Sequence, residues 1–418
     1  MITELTISNF RFIKKQKIKL GALNVLYGPT ASGKSSLLYA LMVFNKIITN
    51  PNQPIDNFFD LGFIDLGGLK ECLYGKDEEL AMEISYSTNS GEFGISLKKD
   101  KANTYLKYKN IKLTAEFSIP YKQTKIFETK IDLKTLKGKA YWNGFYVLGL
   151  SGSVEEEGQT GNLISKLNEI ANTIKQVDIA PHNRGFFEAF YSHYLRYEVP
   201  HVLISDEEVA SAIINQEDLV PKISKALEEI ANKSFRIHPI QGIPLSRFLI
   251  QEKGSNQEIL ITNEGFGINQ VVYMFAKLYL KDKKIILIEE PEIHLHPSII
   301  RKLAKIMCKI VEEENKQIIL TTHSEVFVSS LLSAIRRKDI SHKKVKFYLV
   351  EKEKGEPQNS LALSQVAERA GVSLSTVSRI VRRKYASWQE GKEGKREGMV
   401  GKEEKEDSSE RLWEGSGV

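Results

Sequence analysis

Eight consecutive residues, Gly28-Pro29-Thr30-Ala31-Ser32-Gly33-Lys34-Ser35, satisfy the spacing G-x-x-x-x-G-K-[ST], and a second serine, Ser36, follows. The chemistry such a run can do is phosphate binding. Glycines let successive backbone N–H groups turn inward as an anion nest, and the dipole of a following helix adds positive potential. Lys34 would reach the β- and γ-phosphates of a nucleotide, and the Ser35 hydroxyl would join the coordination of Mg²⁺. A Gly/Ser-rich turn before a helix can match the pattern by chance, so context decides. Here Leu23-Asn24-Val25-Leu26-Tyr27 is an apolar strand running straight into Gly28, and Leu37, Leu38, Leu41, Met42, Phe44 and Ile47 fall at helical spacing behind it.

A phosphate loop also needs a carboxylate for the Mg²⁺ shell and a group to orient the attacking water. The run Ile285-Ile286-Leu287-Ile288 reads as a buried strand that delivers Glu289 and Glu290 at its carboxyl end, where ligands of open α/β sheets bind. Glu289 would hold magnesium through water, and Glu290 would polarise the nucleophile. Two adjacent glutamates usually mark a solvated turn; the four aliphatic residues before this pair favour function. A third strand, Gln317-Ile318-Ile319-Leu320, ends in Thr321-Thr322-His323-Ser324 and brings an imidazole and hydroxyls to the same edge. A lone histidine there is by itself more often a packed or hydrogen-bonded residue.

The elements that must position these groups are legible as changes of period. Residues 80–149 alternate apolar and polar, as in Ile111-Lys112-Leu113-Thr114-Ala115-Glu116-Phe117, and predict an antiparallel β section. From Asn162 to about Phe235 the period becomes helical: Leu163, Ile164, Leu167, Ile170 and Ile174 form one stripe, and residues 206–232 carry a pair of helices broken near Pro221. Strands return at 247–262, then helices over 298–314 and 325–337 alternate with continuous apolar runs, as parallel strands buried on both faces would. The two ends of the chain are thus expected to build one α/β core around the middle. Residues 391–418 are Glu, Lys and Gly with almost no aliphatics, a composition read as a disordered tail.

Composition excludes more than it identifies. In 418 residues, 41% hydrophobic and 27% charged content disfavours a disordered, collagen-like or membrane-embedded chain. No stretch approaches the roughly 18 apolar residues of a membrane span, and the Met1 end alternates rather than forming a signal core, so a cytoplasmic chain without membrane contact is expected. The balance of 59 Lys and Arg against 53 Asp and Glu leaves only +6, a weak pull toward polyanions. Cys72 and Cys308 lack partners at metal-ligand spacing, and Cys308 lies on the apolar stripe of a helix as a buried small hydrophobe would.

Taken together, Gly28–Ser36, the run ILIEEPEIHLHP at 286–297 and the run ILTTHSE at 319–325 resemble the ATPase heads of the ABC superfamily, in particular the RecF/SMC-like group and the AAA-type ATPases related to overcoming-lysogenization-defect nucleases. The opening residues, with Ser8-Asn9-Phe10-Arg11, resemble that group's first strands. The likeness covers about residues 1–75 and 245–350. It implies an α/β fold, a P-loop NTPase of ABC-head type with a β-rich section and a helical insertion. The corresponding division is 1–75 for the N-terminal part of the ATPase core, 76–160 for the β section, 161–244 for the helical insertion and 245–352 for the C-terminal part of the core.

The resemblance further implies roles. Glu290 matches the catalytic glutamate, Glu289 the Walker B carboxylate, Leu295-His296-Pro297 the D-loop region and His323 the switch histidine. With Lys34 they would carry ATP hydrolysis, Mg²⁺ being held by Ser35 and Glu289. The family's signature loop, which caps the γ-phosphate bound to the opposite subunit, matches residues 263–270, with Asn263, Gly265 and Gly267 as contact residues. That implies an ATP-sandwiched homodimer. Three positions depart from the family pattern: Walker B ends in glutamate rather than aspartate, Asn263 replaces the signature serine, and no Q-loop glutamine is evident, residues 67–71 lying roughly where it should stand. A C-terminal Toprim nuclease is not expected, since no Asp-x-Asp follows Val350-Glu351.

A second motif lies at 361–390. Residues 363–380, LSQVAERAGVSLSTVSRI, resemble the helix-turn-helix of LacI-type repressors, with Gly371 at the turn, Ser373 as N-cap, and Leu374, Ser375 and Arg379 toward base edges. DNA would then be engaged through residues 363–384; an ordinary helical hairpin is the plainer alternative. Pro181-His182-Asn183-Arg184-Gly185 is read as a surface turn in preference to a phosphate contact by Arg184. Phe186, Phe187, Phe190 and Tyr191 beside it are read as a core or interface stripe. Two further functional readings stay open: a DNA-binding regulator that uses ATP as a ligand without significant turnover, and an ATPase switch subunit acting on a separate effector protein.

Overall fold

The computed structural model describes residues 1–133, 136–154, 159–193, 202–255, 257–352 and 361–365, all within one unit, Met1–Gln365. Strands β1 (Glu4–Phe10) and β2 (Ile13–Lys19) precede β3 (Leu23–Tyr27), which leads through the glycine loop into α1 (Lys34–Thr49) and then a short α2 (Gly68–Cys72). The alternating section forms β4 (Met82–Ser87), β5 (Glu92–Lys98), β6 (Lys101–Tyr108), β7 (Ile111–Ser118), β8 (Phe127–Leu133), β9 (Leu136–Trp142) and β10 (Val147–Val154). The middle holds α3 (Gln159–Asn172), β11 (Val177–Ala180), β12 (Tyr191–Ser192), α4 (Asp206–Asn215), α5 (Leu219–Ala231), β13 (Lys233–Pro239), β14 (Leu245–Glu252) and β15 (Glu258–Leu260). The last third alternates α6 (Phe266–Tyr279), β16 (Ile285–Glu289), α7 (Pro297–Glu313), β17 (Gln317–Thr322), α8 (Glu325–Arg336), β18 (Val345–Lys352) and β19 (Leu361–Gln365).

The sheet that matters for the site has the order β11-β16-β17-β3-β18-β19. Its first five strands are parallel, and β19 returns antiparallel to β18. Every residue of β3, β16 and β17 is buried, as continuous apolar runs sandwiched between helices require. Strands from both ends of the chain meet here: β17 pairs Thr322 with Tyr27 of β3, and β16 pairs Glu289 with Thr321 of β17. The phosphate loop, the carboxylates and His323 therefore leave the same sheet edge.

The alternating section forms a six-stranded sheet, β2-β1-β4-β5-β6-β7, which joins residues on both sides of position 75, and a three-stranded sheet, β10-β9-β8. In β7 the burial alternates without exception, the pattern of a strand with one core face and one wet face. Phe44 of α1 packs on Tyr86 and Phe93, so this sheet and the phosphate-loop helix share a core.

Two regions differ from the sequence reading. Residues 161–244 are not helical throughout. Val177–Ala180 is an edge strand of the central sheet, and β13 with β14 forms a hairpin. The four residues of β11 carry Asp178, which breaks the apolar run that would have marked a buried strand. In the fold its charge is met by Lys277 of α6 at 2.9 Å, both side chains being fully buried. At the other end, Leu361–Gln365, read as the start of a helix-turn-helix region, pairs as a strand with β18. Main-chain pairing on an open sheet edge decides the conformation of so short a segment. Residues 366–384 and the tail at 391–418 lie outside the described residues.

Candidate active site

The phosphate loop is shaped by the backbone before any side chain acts. Gly33, the residue preceding α1, has φ 91°, a left-handed conformation that suits glycine, and α1 carries no acidic residue in its first turn. The helix N-terminus is thus left positive. Lys34 is buried and folds back over the loop, its ammonium donating to the carbonyls of Gly28 at 3.0 Å and Pro29 at 2.7 Å. Burial pushes its pKa down, opposed by Glu290 and Glu292. The Ser32 hydroxyl is buried without a partner in the structure, while Thr30 and Ala31 crown the loop in solvent. A cradle whose ammonium is satisfied by main-chain carbonyls and whose hydroxyl is orphaned fits an anion that would exchange both.

Facing the loop, β16 ends in two glutamates with different surroundings. Glu289 is buried. Tyr39 donates to its Oε1 at 2.8 Å and the His182 main-chain N–H to its Oε2 at 3.3 Å, while the His182 ring Nδ1 stands 3.6 Å from Oε2. Burial pushes its carboxyl pKa upward, but the hydrogen bonds with His182, Ser35 and Tyr39 outweigh that and hold it below the ordinary value. Ser35 and Glu289, assigned above to the metal, are therefore already in contact. They are hard oxygen donors of the kind Mg²⁺ takes beside substrate phosphates and water.

Glu290 turns away with φ 42°, its N–H bonded to the Thr321 carbonyl at 2.9 Å. Its Oε1 lies 3.4 Å from Nδ1 of His323. The contact with His323 holds the Glu290 pKa low against the opposing effect of burial, with Lys34 helping, and in return raises the pKa of His323. A third carboxylate, Glu292, accepts from the Thr322 hydroxyl at 2.6 Å and the His323 N–H at 3.1 Å, and burial pushes its pKa up.

Arg184 corrects the sequence reading most sharply. It is 2% exposed, not a surface turn residue, and it donates to the carbonyls of Pro181 at 2.8 Å, Glu289 at 2.6 Å and Glu290 at 3.0 Å. The guanidinium thus pins the main chain from which both carboxylates project. Burial lowers its pKa to about 10. Neither His182 nor Arg184 was identified as part of the site. Their signal was a Pro-to-Gly turn following a four-residue strand, visible only once Val177–Ala180 is recognised. The segment at 67–71 leads into α2, where the Asp56 carboxylate accepts from Leu69 N–H. The side chains brought beside Glu289 come from Ser35, Tyr39 and His182.

The loop at 263–270 opens α6. Its Gly265 carbonyl accepts from Ile268 and Asn269, and a Cβ at Gly265 would meet open space. Gly267 is pressed against the carbonyl of His294, 2.5 Å from where a Cβ would stand, so it allows the close approach of α6 to the segment after Glu290. Phe266, 42% exposed, lies edge-on to His294 with centroids 5.1 Å apart and near Phe187, which is 53% exposed. Phe186 and Tyr191 are buried together with Phe248 and Tyr273, while Phe187 and Phe190 face solvent. Among the described residues no hydrogen bond joins 263–267 to the phosphate loop. Cys72 and Cys308 are free and buried, and no described helix is long and apolar enough to cross a membrane.

Residues 1–328 match the model of the AAA ATPase domain family. The chain is similar to an ATP/GTP phosphatase of Helicobacter pylori, 22% identical over 358 residues that cover 84% of this chain and 92% of the relative. It is also similar to an OLD nuclease of Thermus scotoductus, 31% identical over 123 residues, 28% of this chain and 23% of that protein. Among solved structures, an Smc head domain bound to the C-terminal domain of ScpA, derived from Pyrococcus furiosus, aligns with 91% of this chain and 98% of its own at 11% identity and a TM-score of 0.44.

Proposed function

The chain belongs to the AAA ATPase domain family and is an ATP hydrolase, and from that premise we propose that it works as an ATP-sandwiched homodimer. The observation that carries the reading is the meeting of Lys34, Ser35, Glu289, Glu290 and His323 at one edge of the parallel sheet, with residues 263–267 opening a separate helix whose Gly265 and Phe266 are accessible. Gly28–Ser36 and the N-terminus of α1 bind the phosphates, and Lys34 trades its two main-chain carbonyls for β- and γ-phosphate oxygens. Ser35 and Glu289 hold Mg²⁺, which when bound offsets the charge of those phosphates. Glu290 accepts the proton of the attacking water as its oxygen closes on the γ-phosphorus and the bond to the β-bridging oxygen breaks. His323, held against Glu290, donates toward the γ-phosphate. Asn263, Gly265 and Gly267 of a second copy cap that phosphate through donors of the α6 N-terminus.

Light scattering on Glu290→Gln with and without Mg-ATP tests the dimer. A mass that doubles only with nucleotide is expected; an unchanged mass despite demonstrated binding removes the assignment of residues 263–270. Coupling to DNA through residues 366–384, the part of the motif beyond the strand Leu361–Gln365, or to a separate effector, belongs to the same proposal. A DNA gel shift indifferent to nucleotide and to Arg379→Ala would remove the DNA branch.

A further inference from the structure

Three glutamates leave β16 within four residues, and the hydrolysis scheme uses only the first two. Glu292 is the unused one. It is 7% exposed, and its carboxylate faces the end of β17 rather than the phosphate loop. One oxygen, Oε1, accepts both the Thr322 hydroxyl at 2.6 Å and the His323 main-chain N–H at 3.1 Å. The other, Oε2, is buried with no partner in the structure. A carboxylate left half-satisfied in the interior is costly, and such groups persist where they hold something in place.

What Glu292 holds is the turn that aims His323. Thr322 is the last residue of β17, and its hydroxyl, while donating to Glu292, accepts from the Ser324 N–H at 3.0 Å. Ser324 in turn caps α8 by accepting from the Phe327 N–H at 3.1 Å. The His323 backbone is therefore fixed from Thr322, from Ser324 and at its own N–H. Its imidazole is left between two carboxylates, with Nδ1 3.4 Å from Glu290 and 3.7 Å from Glu292. Glu292 is itself tied to the same chain turn: Ile293 N–H bonds to the Glu290 carbonyl at 3.2 Å and Leu295 N–H to the Glu292 carbonyl at 3.1 Å. The main chain of Glu290 and that of His323 are thus linked through Glu292.

We propose that Glu292 is a positioning residue for ATP hydrolysis, acting through His323: by accepting from Thr322 and from the His323 main chain it fixes the imidazole against Glu290. The inference rests on the reading of Glu290 and His323 as hydrolytic groups. It predicts a requirement for a hydrogen-bond acceptor at position 292 rather than for a charge, since one oxygen makes both bonds.

Steady-state hydrolysis of Mg-ATP by the full chain separates the outcomes. Glu292→Ala should lower kcat about 10-fold with KM within about 2-fold of wild type, the signature of an interaction made in the transition state rather than in binding. Glu292→Gln, whose amide oxygen can accept both bonds, should restore at least about half of the wild-type kcat. In a His323→Ala background the further loss on Glu292→Ala should shrink to less than about 2-fold, because residues acting as one unit are non-additive. If Glu292→Ala proves too unstable to assay, Thr322→Val, which removes the shorter bond to Glu292 together with the acceptor for the Ser324 N–H, replaces it in the same comparison, with Thr322→Ser, which keeps both, as its control. Wild-type kcat in the alanine or valine variant, a glutamine variant as impaired as alanine, or a loss undiminished without His323 would each overturn the proposal while leaving the hydrolytic reading intact. His323→Ala at wild-type kcat would overturn both.

Discussion

The phosphate loop binds with main-chain groups from consecutive residues, whereas the carboxylate edge facing it is assembled from side chains that lie as many as 250 residues apart, as Tyr39 and Glu289 do. In the loop, conformation is local: a left-handed Gly33 and a helix with no acid in its first turn suffice. At the carboxylate edge, each functional oxygen depends on a partner from another element, Glu289 on buried Tyr39 and on exposed His182, Glu290 on exposed His323, and the main chain of both on buried Arg184. The difference teaches that the two walls should fail differently. Damage to the loop should remove affinity and leave the fold, while damage behind the carboxylates should remove stability and turnover together.

Lys34→Ala is the largest blow to the loop. It should lower hydrolysis about 1000-fold, as loss of a principal charge stabiliser does, and weaken ATP binding, with a smaller loss of stability than at the other wall, because the carbonyls of Gly28 and Pro29 lose only the ammonium that nucleotide binding would itself withdraw. Phosphate release and equilibrium titration with ATP read both numbers. A variant that hydrolyses normally would break the contrast at its stronger wall.

Arg184→Leu probes the other wall. Leaving the carbonyls of Pro181, Glu289 and Glu290 without their donor should cost about 3 kcal/mol in a denaturant midpoint, and turnover should fall with it. Arg184→Lys should recover less than half of that loss, because one ammonium cannot reproduce the planar fork. Recovery by lysine would show that charge, not geometry, pins the strand end.

Acidity sharpens the comparison further. His323, raised above its ordinary 6.5 by Glu290, contributes stability that is whole below 6.5 and is lost as pH rises through its folded pKa. Glu290, lowered from 4.5 chiefly by His323, contributes above 4.5 and loses it as pH falls through its folded pKa. The coupling between the two, measured from melting temperatures of His323→Gln, Glu290→Gln and the double variant, should peak between pH 4.5 and 6.5 and fade in alkaline buffer. A coupling that is flat across this range would mean the pair is not ionised together. Tyr39→Phe should have the smallest effect, about 1 kcal/mol of stability, with a measurable rise in the Mg²⁺ concentration needed for half-maximal turnover.

Legibility in the sequence follows the same division. Gly28 to Ser36 could be read directly, because the motif, its strand and its helix are contiguous. Glu289 and Glu290 could be read because four aliphatic residues announce a buried strand end. Arg184 could not: two of its three partners are main-chain carbonyls 105 and 106 residues away, and carbonyls leave no pattern in side-chain types. The strand that positions it is four residues long, and Asp178 disguises it until Lys277 of a distant helix is seen to neutralise the charge. At the C-terminal end Leu361–Gln365, the first residues of the region read as a helix-turn-helix, pair as a strand with β18, a non-local contact that a local motif does not announce.

The central claim is that binding resides in the loop and proton transfer in Glu290. The most direct test is a single-turnover measurement of ATP cleavage by Glu290→Gln beside its equilibrium affinity for Mg-ATP. The account predicts affinity within about 3-fold of wild type and cleavage slowed at least about 100-fold, as loss of a general base does. Cleavage at the wild-type rate by a variant that binds normally would contradict it.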